Sequence, residues 1–121
     1  MKAIRAARSC PACGAGLLIQ RLRCGDCLTT VEGEFPWPRL ARLSHKDQHL
    51  IELLILSSGS LKAVASTLGV SYPTVRKKVD AVIKRLEVEV EADATYRERL
   101  LRDVEEGQRS AAEAAGHLEN L

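Results

Sequence analysis

LKAVASTLGVSYPTVRKKVDAVIKRL, residues Leu61 to Leu86, is the stretch that decides the fold. Its first part carries Leu61, Val64, Ala65 and Leu68 at i, i+3, i+4 and i+7, one face of a helix. Gly69 follows directly, where a helix end often requires a positive φ. Val70 is apolar and suits a pin for the turn. Ser71 is a good N-cap, and the helix it opens places Val75, Val79, Val82, Ile83 and Leu86 on its buried side. Ala65 is small where a second helix would cross closely. The pattern predicts a helix, a tight turn and a second helix packed across the first.

The outward residues of the second helix point to function. With the apolar stripe as the inner face, Pro73, Thr74, Lys77, Asp80, Ala81 and Lys84 face away, and Arg76 and Lys78 flank them. Arg76, Lys77 and Lys78 form a basic cluster in the first two turns, where a recognition helix meets base edges and phosphates. Over residues 72–86, Tyr72, Thr74 and Lys77 are the candidates for contact at or near bases. Arg76, Lys78 and Lys84 are the candidates for phosphates. Asp80 sits among them, and a carboxylate there repels phosphate.

Working outward toward the N-terminus, Ser44 caps a helix expected to run to about Ser58, with Asp47 completing a capping-box-like start. Leu50, Ile51, Leu53, Leu54, Ile55 and Leu56 make it apolar nearly all round, so it is expected to be covered on more than one side. Gly59 is expected to end it and Ser60 to cap the next helix. His45 and His49 are read as surface groups. Before this helix, Phe35-Pro36-Trp37-Pro38 interrupts regular structure and reads as a hinge, with both aromatics in packing roles.

The four cysteines all precede that hinge. Cys10-Pro11-Ala12-Cys13-Gly14 and Cys24-Gly25-Asp26-Cys27 are two C-x-x-C knuckles separated by ten residues. Four thiolates in two knuckles suit one tetrahedral, closed and therefore structural Zn²⁺. Gly14 and Gly25 are expected to let the knuckle amides turn toward sulfur. Disulfides are disfavoured in a chain without an export signal, and a thioredoxin-like pair lacks its βαβ context. Iron of the rubredoxin type uses similar knuckles set further apart around an aromatic core. Residues 17–23 and 29–35 have strand character, and so small a unit needs its metal to fold. Residues 1–9 are basic and show no pattern of a regular element.

Beyond Leu86, Glu87-Val88-Glu89-Val90-Glu91 alternates strictly and reads as an edge strand or as an extension of the helix, the helix being preferred for want of a partner strand. An acidic amphipathic helix with Tyr96, Leu100, Leu101 and Val104 is expected over 92–106. Gly107 breaks it, and Ser110 caps a last helix over 111–121. So short a pair cannot bury its own face and is expected to dock on the body, a second copy or another protein.

The charge is unevenly divided. Residues 1–35 hold five basic and three acidic side chains, residues 36–86 nine and three, and residues 87–121 four and ten. A basic middle beside an acidic tail suggests a polyanion-binding module next to a part with another task. The absence of a long apolar run or signal segment leads to the expectation of a cytoplasmic protein with no membrane insertion. No acid–base–nucleophile set is visible, so neither an enzyme nor a small-molecule substrate is expected.

The Ser71, Thr74, Val75, Arg76 start resembles the helix–turn–helix units of response-regulator effector domains and of the promoter-reading domain of sigma factors. The whole order resembles a bacterial family of uncharacterised proteins that join a CPxCG…CxxC zinc ribbon to a helix–turn–helix with a G-x-L-K…LG-x-S-Y-P-T-V-R segment. Here these are Cys10, Pro11, Cys13, Gly14, Cys24 and Cys27, then Gly59, Leu61, Lys62, Leu68, Gly69 and Ser71 through Arg76. The resemblance implies a compact ribbon–helix protein and, by analogy of fold, DNA binding. Residues 100–121 are similar to short oligomerising helical hairpins, from which Arg109 and Gly116 depart in ways expected to weaken the hairpin.

The sequence thus reads as an α+β chain, mainly α: a zinc ribbon over 1–35, a helix–turn–helix domain over 36–91 and an acidic hairpin over 92–121 for oligomerisation or partner docking. The expected function is a transcriptional regulator bound to double-stranded DNA, as a homodimer or with a protein partner held by the C-terminal helices. The alternative is a non-catalytic adaptor docking on transcription or stress-response machinery.

Overall fold

The computed structural model describes residues 7–119 and 121. The expected basic, patternless segment over 1–9 lies mostly outside them. Its last residues are paired: Ser9 bridges Gly16, and the Leu17 amide donates to the Arg8 carbonyl at 2.9 Å. The chain forms two compact units, residues 1–37 and 38–121.

The first unit is a two-stranded antiparallel sheet of β1 (Ile19–Arg23) and β2 (Thr30–Phe35), with Arg21 opposite Glu32 and Leu22 opposite Val31. The register shifts between Ile19, which faces Phe35, and Arg21. Gly33 and Glu34 therefore oppose Gln20 alone, a β-bulge. The Phe35 ring closes over Gly33, within 3.2 Å of where a Cβ would stand. Leu18, Leu22, Leu28 and Val31 are each more than half exposed, so the described part of this unit has almost no apolar interior. Such a unit depends on something other than hydrophobic burial to stay folded.

The second unit is helical: a 3₁₀ turn at Arg39–Arg42, then α1 (His45–Leu56), α2 (Leu61–Leu68), α3 (Tyr72–Glu105) and α4 (Ala111–Leu118). Each of the four α-helices begins on a serine whose hydroxyl accepts the amide three residues on: Ser44 from Asp47, Ser60 from Ala63, Ser71 from Thr74 and Ser110 from Glu113. The core is Leu50, Val64, Ala65, Val75 and Val82, with Ile51, Leu53, Leu54, Leu61 and Val79 packed around it. Ala65 is buried, consistent with close helix crossing.

Two expectations are corrected. The run Glu87–Glu91 is helical, the reading preferred from the sequence, but the separate helix expected over 92–106 is not found: α3 continues without a break for 34 residues, about 50 Å at 1.5 Å per residue. The expected boundary between 91 and 92 thus falls inside one helix, because no glycine, proline or cap interrupts it before Gly107. The second correction concerns α1. Its last turn is not covered: Ile55 is 72 % and Leu56 82 % exposed. At its end Ser58 takes the left-handed conformation (φ 52°) ahead of Gly59 (φ 81°), the residue expected to end the helix. The Gly59 amide reaches the Leu54 carbonyl at 2.8 Å, which closes the helix end.

Candidate nucleic-acid interface and metal centre

The turn between α2 and α3 sets the direction of α3. Gly69 has φ 67°, its amide donates to Ser66, and the Val70 amide donates to the Ala65 carbonyl at 3.1 Å. These two bonds satisfy the last carbonyls of α2 in a Schellman arrangement. Ser71 then caps α3, and Pro73 stands in its first turn, where no intrahelical N–H is lost.

From that start, α3 buries Val75 and Val82 and turns its basic residues outward. Tyr72, Thr74, Arg76, Lys77, Lys78 and Lys84 are all exposed. At 100° per residue, Lys77 and Lys84 lie two turns apart, on the side opposite Val75 and Val82. Lys78 lies toward α1. Two of these residues are already engaged. The Thr74 hydroxyl stands 2.8 Å from that of Ser71, and Arg76 Nε is 3.4 Å from Asp80 Oδ1. An exposed i,i+4 pair of this kind is weak, so it orients Arg76 and leaves its guanidinium accessible.

Two carboxylates brace this surface: Asp47, read from the sequence only as part of the helix start, and Asp93, which the sequence reading left unassigned. Asp47, buried at the start of α1, accepts from Arg85 Nε at 2.6 Å and Nη2 at 2.7 Å. The Arg85 hydrogen bonds hold its carboxyl below the usual carboxylate range, against the opposing effect of burial. Further along, Asp93 accepts from Arg42 Nη2 at 2.6 Å and Arg39 Nε at 2.8 Å, and Arg42 Nε lies 2.9 Å from Glu89. Burial alone pushes the Asp93 carboxyl up, but hydrogen bonds from Arg42 and Arg39 together leave it lowered. The sequence signal for Asp93 is its place on the inward stripe of α3, eleven residues after Val82 and seven before Leu100.

At the end of α3, the Gln108 amide donates to the Asp103 carbonyl at 2.8 Å, and α4 folds back. Leu100 and Ala114 are buried there. Tyr96 Oη lies 3.2 Å from His117 Nδ1, and Arg109 Nη1 lies 3.4 Å from His117 Nε2. Arg109, expected to weaken this hairpin, is half-buried within it and 3.7 Å from Asp103.

In the ribbon, each knuckle brings its own thiols together. Cys10 pairs with Cys13, and Cys27 with Cys24, and no disulfide joins them. The Ala12 amide donates to Cys10 Sγ at 3.4 Å, and Cys27 Sγ lies 3.1 Å from the Thr29 hydroxyl. Backbone amides, that of Cys13 first, lower the Cys10 thiol, while the Thr29 hydroxyl brings Cys27 down to about 7. Groups prepared to carry thiolate charge fit a metal with soft-ligand preference. Among the described residues no three metal-binding side chains converge on one point, and the four cysteines stand as two thiol pairs. Of the two knuckle glycines, Gly14 uses its freedom at a positive φ of 77°, and Gly25 does not. In the second knuckle Leu28, at φ 64°, makes the turn.

Residues 10–41 match the family model described as the DUF2089 zinc ribbon. Residues 43–89 match the model described as domain of unknown function (DUF2089)-HTH. The chain belongs to this family. The two DUF2089 matches follow in the order in which the structure lays down the ribbon and then α1 to α3, and the ribbon with its two cysteine pairs is zinc-binding. The comparisons with curated proteins and with solved structures give no match. No helix among the described residues is long and apolar enough to cross a membrane.

Proposed function

We propose that the chain is a cytoplasmic, non-catalytic transcriptional regulator that places the first turns of α3 in the major groove of double-stranded DNA. The supporting observation is the outward basic surface of α3, fixed by the Gly69 turn and by the burial of Val75 and Val82. Lys77, Tyr72 and Thr74 face base edges, and Arg76, Lys78 and Lys84 neutralise phosphates. One Zn²⁺ held by Cys10, Cys13, Cys24 and Cys27 stabilises the ribbon when bound. A single module of this size binds weakly, and a homodimer through the C-terminal part of α3 and α4 supplies the second half-site contact.

The test is an electrophoretic mobility titration with parent protein, Lys77→Ala and Arg76→Ala over a range of salt. Salt-sensitive binding in the parent, weakened in both variants, is expected; its absence at every salt concentration excludes the reading. One observation favours a second reading. Asp80 sits between the basic residues and pairs with Arg76, which suits a protein partner better than phosphate. A stoichiometric partner that survives nuclease treatment of a cell extract is the result expected of such an adaptor.

A further inference from the structure

Between α1 and α3 lies a cleft of about 400 Å³, open on one side. Its volume is in the range of small-ligand sites. The interior is apolar, made by Leu53 of α1, Leu68 of α2, Val82 of α3 and also Ala81, expected to face outward but half-buried here. The polar groups around it are Lys46, Asp47 and His49 on α1 and Lys78 and Arg85 on α3. Asp47 is neutralised by the two-point contact with Arg85. His49 stands 3.9 Å from Glu52 at the surface. Lys46 and Lys78 have no ion-pair partner among the described residues. The cleft therefore offers two uncommitted ammonium groups above an apolar floor.

We infer that this cleft binds a small amphipathic monoanion, a carboxylate on an apolar body, whose head group takes Lys78 away from DNA. The apolar walls argue against a bare phosphate, which would gain nothing from Leu53 and Leu68. The uncommitted lysines argue against a neutral hydrophobe, which would leave the cationic rim unused. Val82 connects the cleft to the core stripe of the recognition helix, and Lys78 belongs at once to the cleft and to the proposed phosphate contacts. Competition with DNA rests on the function proposed above; the cleft does not.

The test uses the zinc-loaded full chain and three probes: octanoate, 1-octanol and inorganic phosphate, each titrated calorimetrically below the octanoate micelle range. Octanoate is expected to bind saturably, 1-octanol at least about tenfold more weakly, and phosphate without saturation. Lys46→Gln is expected to weaken octanoate about tenfold. Ala81→Leu, which fills the cleft without altering charge, is expected to abolish binding while circular dichroism confirms the fold. Octanoate is further expected to lower the DNA affinity of the parent and to leave that of Ala81→Leu unchanged. No saturable octanoate binding to folded protein overturns the inference, as does equal binding of octanoate and 1-octanol, or phosphate binding as tight as octanoate. Octanoate binding in a protein that never binds DNA supports the cleft and overturns the competition together with the proposed function. DNA binding without octanoate binding overturns the cleft alone.

Discussion

Asp93 shows how much of this domain rests on single charges. It is 4 % exposed on the inward stripe of α3, and two arginines from the turn before α1 converge on it. Replacing it by alanine leaves two guanidinium groups facing a buried gap. The expected cost is about 2 kcal/mol, read as a lower urea midpoint, because a broken buried pair exposes its surviving partner to desolvation without compensation. The pH response follows from the same contacts. Asp47 and Asp93 both have folded-state values below the unfolded carboxylate value of 3.8. The unfolded chain therefore binds more protons between those values, so their stabilisation is complete above about pH 5 and is lost as pH falls through the unfolded and then the folded values. Denaturation midpoints are expected to be flat from neutrality down to about pH 5 and to drop below about pH 4. In Asp93→Asn the acid-induced loss becomes shallower; an unchanged slope would remove Asp93 from this account.

Elements were legible where local chemistry decides them. The four serine caps, the Gly69 turn and the inward valines of α3 are all visible in the sequence, because each rests on contacts within a few residues. The errors lie where distant residues decide. A new helix is expected from residue 92, yet the helix nucleated at Ser71 runs on through Glu87–Glu91 and past it, since extension is easier than a new start. Nothing in α1 alone shows that Ile55 and Leu56 lack a neighbour, and nothing around Asp93 shows that Arg39 and Arg42 reach it from more than fifty positions away. In the candidate site the basic residues were readable from helical periodicity. The Thr74–Ser71 and Arg76–Asp80 engagements needed rotamers, and the α1–α3 cleft needed the packing. Two glycines test the element scale in opposite directions. Gly69→Ala places a side chain at φ 67° with open space around it, so the cost is backbone strain of about 1 kcal/mol. Gly116 lies within α4 with nothing near its missing Cβ, so Gly116→Ala is expected to stabilise by about 0.5–1 kcal/mol. Thermal midpoints of the two variants should move apart. A shift of both in one direction would contradict these backbone assignments.

At the level of the whole chain, the two units draw on different sources of stability. The helical unit has a core, Leu50, Val64, Ala65, Val75 and Val82. The described ribbon has paired thiols and exposed leucines. Chelation is therefore expected to unfold residues of the ribbon while leaving the far-ultraviolet signal of the helices nearly intact, and restored zinc should recover it. Parallel loss of the helical signal would show that the second unit cannot stand without the first. The charge division gives α3 one basic face near its start and acidic residues further along, and the proposed DNA reading depends on that first face being reachable. Its most direct measurement is the salt dependence of affinity for duplex DNA in the parent, Lys77→Ala and Arg76→Ala proteins. The account predicts that log affinity falls linearly with log salt, that Arg76→Ala loses close to one counterion from the slope, and that Lys77→Ala weakens binding with a smaller change of slope. Binding whose salt slope is the same in all three proteins, or no binding even at the lowest salt, would contradict it.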